Sequence, residues 1–496
     1  HLFTPDGFNT WVGDVSTFFH DGRLHLFYLF DRRHHGSKYW GGGHNWAHLS
    51  STDLRHWTEH EDALKLDHQC ETMGTGNVFF YKGKYYFSYG HHTQRYYPKE
   101  KTVIAAIETY MRQKGESPVL NQKEVPDLLP DGASYAVSDD GIHFTKSRNF
   151  IHAACNPSIY PNPDGTLTLF AGFDGAQGIW KAKEFPGAFT CVNRNFPTSG
   201  KNSYMDNSLE CPCRFSWNGS WYLLIGGTAL WMADNIDFNN PRDLSREGDD
   251  IYDGNYYPMV SEFTGNRRIL AGWIMAQENR WGGFLTLREL IQFPDRKLGI
   301  KWLDEAMPPA HASYPLANKY SKGTEYLLPS DSGYLTFQVR PEGQNGAVAV
   351  RFPADDGRIV EFHLDIAGRR AQYGIAPSMT KRAPVILTSK EWCDLRAQKS
   401  ANLPPRVLHQ AVGNLRNLEK PFQVRMLIKH SPRAGGTVFD VEIAGCRTLI
   451  KSFESIRVGS VGVYPEGSPA PAVTELRFAP LKEVSLPSFP LLSKGN

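Results

Sequence analysis

Five times between residues 16 and 273 the chain repeats one pattern of apolar and polar positions: "STFFHDGRLHLFYLF" (16–30), "NVFFYKGKYYFSYG" (77–90), "SIYPNPDGTLTLFAG" (158–172), "CRFSWNGSWYLLIGG" (213–227) and "VSEFTGNRRILAGW" (260–273). Each is a short aromatic or β-branched run, a turn carrying Gly, and a second run of alternating apolar residues. That is the signature of a β-hairpin, and Asp-Gly and Asn-Gly are among its strongest turn signals. The repeats recur at uneven intervals of about fifty to eighty residues, too wide for one simple sandwich. They fit a radial array of small sheets with one hairpin per blade, a five-bladed propeller. The polar stretch 94–131 reads as an insertion between blades, and "VIAAIETYMRQ" within it fits a short helix or a strand equally well.

After "KWLDEAMPPAHASYP" the composition shifts to Pro, Ala and polar residues, which marks a junction. Alternating strands follow: "GYLTFQVRP", "AVAVRF", "RIVEFHLDI", "FQVRMLIKH", "TVFDVEIAG", "GSVGVYPEG" and "TELRFAPL". These predict an antiparallel β-sandwich, interrupted by a long polar excursion over 377–420 that contains Pro404-Pro405. The expected organisation is all-β: a propeller over 1–305, a linker over 306–325 and a sandwich over 326–496. Nothing in the second half has the pattern of a catalytic site, and a structural role is expected for it.

Composition narrows the function. A chain of 496 residues is long for a single core, and its net charge of +2 provides no field for nucleic acid. Aromatic content of 13%, with 45 Gly and 32 Pro, suits a turn-rich β protein with a sugar-binding surface. Cys70, Cys155, Cys191, Cys211, Cys213, Cys393 and Cys446 show neither zinc spacing nor a disulfide framework. No metal or other cofactor is expected, and no apolar run is long enough to span a bilayer. A start on His rather than Met agrees with a removed leader, so a secreted or periplasmic location is expected and a cytoplasmic one is left open. Oligomeric state is not legible.

Repeat phase brings in the chemistry. Asp14 lies eight residues before Gly22, Asn156 nine before Gly165 and Glu210 nine before Gly219. Thr75 falls at nearly the same offset before Gly83, and Tyr256 and Tyr257 before Gly265. The first strand of a blade lines the propeller axis, so positions of equal phase converge there. Asp14 and Glu210 would then form a carboxylate pair. Such a pair cleaves glycosidic bonds, one acid as nucleophile and the other as proton donor, about 5–5.5 Å apart in retaining enzymes. Glu210, inside "NSLECPCRF", has the apolar neighbours that hold a carboxyl protonated. Asp14, between small residues, would stay ionised if backbone N–H groups face it. Trp11, Trp40, Trp46, Tyr256 and Tyr257 are candidate faces for a sugar ring.

At these residues the chain resembles glycoside hydrolase family 32, the β-fructofuranosidases. "TWVGDVSTFFHDGRLHLFYLF" is similar to the family's opening motif and following strand, and "WGGGHNWAHLSSTDLRHW" to its Trp-Gly-His-Ala segment. "MGTGNVFF" and "SLECPCRF" follow, the latter with the family's Glu-Cys-Pro, and then "YDGNYYPMV", "RRILAGWIM" and "WGGFLTLRELIQF" in the family's order. The resemblance implies a five-bladed propeller with a β-sandwich, action on fructose-containing oligo- or polysaccharides, Asp14 as nucleophile and Glu210 as acid/base.

Two departures stand out. The opening Asn-Asp-Pro-Asn-Gly is reduced to Gly13-Asp14-Val15-Ser16-Thr17, and the Arg-Asp-Pro motif aligns with "ACNP". Asn156 therefore replaces the third carboxylate. This keeps two alternatives open, a related furanosidase for arabinofuranosides or fructose dianhydrides and a sugar-binding homologue without turnover.

Other polar residues have plainer readings. Glu210 could instead be a structural acid paired with Arg214. Asn156 and Asp253 fit either a turn or a sugar contact, and Asp53 fits a turn. His44 and His48 have the i, i+4 spacing of a metal pair, but on a strand or loop. Cys211 and Cys213 are too close for a comfortable disulfide.

Overall fold

In the computed structural model the structure describes residues 12–31, 44–67, 71–92, 109, 112–113, 132–152, 156–171, 178–193, 211–226, 229–276, 282–316, 325–343, 345–398, 410–431 and 435–482. The predicted insertion 94–131 lies almost wholly outside them.

The five sequence repeats are the first two strands of five four-stranded antiparallel blades, of which blades 1 and 5 are joined edge to edge into one eight-stranded sheet. Blade 1 comprises Val12–His20, Arg23–Asp31, His44–Ser51 and Thr58–Glu59; blade 2 comprises Thr72–Tyr81, Lys84–His92, Gly132–Ser138 and Thr145–His152. Blade 3 is Ser158–Pro161, Leu167–Ala171, Gly178–Ala182 and Thr190–Asn193. Blade 4 is Cys213–Trp217, Ser220–Ile225, Ala229–Ala233 and Arg242–Asp243, and blade 5 is Tyr256–Phe263, Arg267–Met275, Gly283–Gln292 and Leu298–Trp302. Three inner hairpins turn through two residues of positive φ, Asp21-Gly22, Lys82-Gly83 and Asn218-Gly219. Their twist matches that of the flanking strands.

The inner strands form a five-bladed propeller. That of blade 1 packs on those of blades 2 and 5, blade 2 on blade 3, and blade 4 on blade 5. Blades 3 and 4 are joined where the Tyr160 hydroxyl donates to Pro212 O at 3.2 Å and accepts from Arg214 N at 3.0 Å. Alternate side chains of each strand fill apolar layers between neighbouring blades. Two polar turns also repeat. Asp53 accepts from the N–H groups of Arg55 and His56, and Asp140 does the same from Ile142 and His143.

Two six-stranded sheets follow and pack face to face around one apolar core. One runs Tyr314–Pro315, Ala472–Pro480, Gly333–Arg340, Phe422–Ser431, Gly436–Ile443, Arg447–Glu454. The other runs Glu325–Leu327, Ser460–Glu466, Ala347–Pro353, Ile359–Asp365, Arg370–Ala376, Ala411–Val412. Tyr314–Pro315 lies in the stretch read as linker yet pairs with Ala472–Pro480. The excursion 377–420 carries a helix, Ser389–Ala397, started by a Thr388–Glu391 capping box.

A buried ion cluster ties the two units together. Arg288 of blade 5 donates to Asp253 at 2.9 Å and, through both terminal nitrogens, to Asp440 of the sandwich at 3.0 and 2.9 Å, and all three side chains are 0% exposed. Asp253 also accepts from Asn255 and Thr448, and Asp440 from the Trp302 indole. Arg288→Met would strand two buried carboxylates, and the expected loss is about 3–5 kcal/mol of stability, read from urea unfolding.

On the outer part of blade 1 three histidines stack. His25 and His48 share a hydrogen bond of 2.9 Å, the His48 and His60 rings lie 4.4 Å apart, and Ser50 bonds His60. Burial, then His60, Arg23 and His20, holds His25 down at about 4. His48 is pushed lower still by burial, then by His25 and His60 against a weak opposite pull from Asp140. His60 is lowered by burial, then by Arg23 and His143, again against Asp140. The folded chain keeps these rings neutral while the unfolded chain takes up protons below about pH 6.5. Stability should be full above that pH and fall towards pH 4, by up to about 1.4 kcal/mol per pH unit for each of the two buried rings, His25 and His48. Denaturant midpoints at pH 7 and pH 5 measure the fall, and His48→Phe should reduce it.

Candidate active site

At the end of the axis away from the hairpin turns, every inner strand departs from regular geometry. Blade 1 is bulged between Val12 and Val15, blade 2 between Gly74 and Gly76, and blade 5 between Tyr256 and Met259. Blades 3 and 4 are preceded instead by left-handed residues, Asn156 at φ 51° and Cys211 at φ 48°. A bulge leaves one residue unpaired and re-aims its side chain, and Asn tolerates the left-handed region better than most residues. Asp14 and Thr75 occupy the first two bulges.

These irregularities bring Asp14, Thr75 and Asn156 together. The Thr75 hydroxyl donates to Asp14 Oδ2 at 2.5 Å, and the Thr75 N–H donates to Asn156 Oδ1 at 3.0 Å. From the other side the Trp273 indole N–H donates to Asp14 Oδ1 at 3.0 Å. Tyr256 stacks on Trp273 with ring centroids 5.1 Å apart. Gly74 permits the close approach of blade 2, because a Cβ there would stand 2.8 Å from Asn156 Oδ1 and 3.0 Å from His92 Nε2.

Asp14 is half-buried, and among the described residues its side-chain donors are the neutral Thr75 and Trp273, beside a backbone N–H of the kind anticipated for it, its own. Burial pushes its carboxyl above the ordinary 3.8, against the opposing pull of Thr75, Trp273 and its own backbone N–H. The carboxylate is therefore less stabilised than the sequence reading supposed.

Of the positions selected by phase, Thr75 and Asn156 lie beside Asp14, Tyr256 reaches it through Trp273, and Tyr257 lies in the blade 5 bulge. Glu210, Trp11 and Trp40 lie outside the described residues. Two readings are corrected. Trp46 is no sugar face: it is 0% exposed, packed on Phe87 between blades 1 and 2. Asp253 is no sugar ligand, since its oxygens are enclosed by Arg288, Asn255 and Thr448. Arg214, considered as a partner for Glu210, is bonded to Asn162 and Pro161 of blade 3.

Trp273 was missed. Its signal was an indole in an otherwise apolar strand, in direct register with Tyr256. Cys211 and Cys213 are buried thiols, and burial raises Cys213 to about 11.

Carbon-13 NMR of the carboxyl groups should show Asp14 titrating above 3.8. Thr75→Val removes a bond that favours the charged form, so the midpoint should move further up. An unchanged midpoint in the variant would contradict this account.

Residues 3–153 match the family model described as the glycosyl hydrolases family 32 N-terminal domain. An invertase of Debaryomyces hansenii is 29% identical over 368 residues, 66% of this chain and 63% of the relative. An invertase of Schwanniomyces occidentalis is 27% identical over 147 residues, 30% of this chain and 24% of the relative. The chain thus spans less than two thirds of either curated relative. Among solved structures, exo-inulinase from Aspergillus awamori superposes with a TM-score of 0.60 at 12% identity, covering 97% of this chain and 98% of that one. Sucrose-6-phosphate hydrolase from Lactobacillus gasseri gives 0.58 at 13% identity, covering 95% and 91%. At such identities the likeness is one of fold.

Proposed function

We propose that this chain, whose N-terminal part is the N-terminal domain of the glycosyl hydrolases of family 32, is a retaining glycoside hydrolase acting on fructose-containing oligo- or polysaccharides. The observation that carries the reading is Asp14, a half-buried carboxylate at the convergence of the bulged strands, held by neutral donors from blades 2 and 5. The relatives named as invertases agree with it.

In this mechanism an Asp14 oxygen attacks the anomeric carbon as the bond to the leaving oxygen breaks. Thr75 and Trp273 fix the carboxylate plane, so little reorientation is needed. Burial that raises the Asp14 pKa disfavours the anion relative to the neutral ester, which helps attack. Glu210, assigned by its Glu-Cys-Pro motif, gives its proton to the leaving oxygen. It then takes one from the water that opens the fructosyl ester. Tyr256 provides an aromatic face at the pit.

One observation favours a second reading, a furanosidase of different sugar preference. Asn156 Oδ1 is already bonded to the Thr75 N–H, so the group it would offer a sugar is the amide N–H2. A carboxylate there would accept from sugar hydroxyls and add negative charge beside an oxocarbenium-like state. The amide donates and is neutral.

Glu210→Gln should lower kcat on sucrose by about 10²–10⁴-fold while activated aryl glycosides lose less. Equal turnover by variant and parent would reject the assignment. Cleavage of sucrose, inulin or levan supports the first reading. Intact fructans with a cleaved arabinofuranoside or fructose dianhydride support the second.

A further inference from the structure

The inner strands enclose a second opening near the hairpin end of the axis, a cavity of about 470 Å³ lined by all five blades. Two arginines line it, Arg214 of blade 4 and Arg268 of blade 5, only 6% and 7% exposed. The other arginines buried as deeply, Arg288, Arg351 and Arg447, each pair with a carboxylate. Among the described residues Arg214 and Arg268 have no such pair. Arg214 donates to Asn162 Oδ1 and Pro161 O and lies over the Tyr160 and Trp221 rings at 4.9 and 5.2 Å. Arg268 donates twice to Ser216 O, at 2.9 and 2.7 Å, and through its other terminal nitrogen to Arg267 O at 3.0 Å and Asn266 Oδ1 at 3.5 Å, and it lies over Trp217.

These contacts orient the guanidinium planes through neutral groups; the carboxylates that act on them, Glu262 for Arg268 and Asp237 for Arg214, do so only through space, and Glu262, which also lines the cavity, is exposed. A buried cation without a counter-charge is costly, and arginine presents a fork of donors suited to an oxyanion. Ser16 adds an independent sign, because it lines the same cavity, is fully buried, and its hydroxyl has no partner among the described residues. Burial lowers the pKa of both arginines, that of Arg214 to about 10, so both stay charged at neutral pH.

We propose that this cavity binds a small oxyanion, a phosphate or carboxylate group, with Arg214 and Arg268 supplying the charge and Ser16 a hydroxyl donor. The site is separate from the Asp14 pit, and it does not depend on the reaction proposed above. The aromatic rings around it also admit an anion carried on a small apolar body.

The test uses the full chain at constant ionic strength, with sodium chloride replaced stepwise by sodium phosphate or sodium acetate. A saturable rise in melting temperature is expected with at least one of them, and which salt acts identifies the group bound. Calorimetric titration with the active salt should show binding to the parent that is at least about tenfold weaker in Arg268→Met. Arg268→Lys, which keeps the charge but loses the fork, should bind with intermediate affinity and serves if the Met variant does not fold. Equal melting in all three salts, or undiminished binding in the folded Arg268 variant, overturns the proposal.

Discussion

The ring depends on the seam between its last blade and its first. Among the described residues each blade is built from consecutive strands, so no strand from elsewhere in the chain completes a blade and latches the circle. Closure rests on one bridge, Val12 to Gly283, on the apolar layer beneath it, and on the Trp273–Asp14 hydrogen bond. Gly283 tolerates no side chain, since a Cβ there would lie 1.9 Å from Ile274 O. The strand it begins, Gly283–Gln292, also carries Arg288, which holds the sandwich through Asp440. One strand therefore joins blade 1, the centre of blade 5 and the second unit.

This explains why the candidate nucleophile is well fixed although it lies near the start of the described chain. Asp14 is part of the closure rather than an appendage to it. The strain of bringing five strand edges together is taken up by bulges and left-handed residues at one depth, and those departures from ladder pairing expose polar side chains to the axis. Geometry that closes the ring also furnishes the pit.

Buried charge is handled in three ways. At the junction of the two units, Arg288 is matched by two carboxylates, which removes their reactivity. In the pit, the donors to Asp14 among the described residues are neutral, so its charge stays available. Along the lower axis, the hydrogen-bond acceptors and ring faces that meet Arg214 and Arg268 among the described residues are neutral. The contrast separates structural charge from charge that can meet a ligand, and sequence does not distinguish the three.

What the sequence determined by itself was local and periodic. Alternation and turn chemistry are written within a few residues, so five hairpins and the sandwich strands were legible, and counting back from each Gly turn picked out Asp14, Thr75, Asn156 and Tyr256. Tertiary structure alone decided which aromatic and acidic residues meet solvent. Trp46 and Asp253 look in sequence like sugar contacts, yet one fills the layer between two blades and the other is enclosed by Arg288 and Thr448. Trp273 reaches Asp14 across 259 positions, and Arg288 reaches Asp440 across 152. Such contacts are set by how blades and sheets pack, and burial, which raises the Asp14 carboxyl, is a property of that packing and not of the neighbours along the chain.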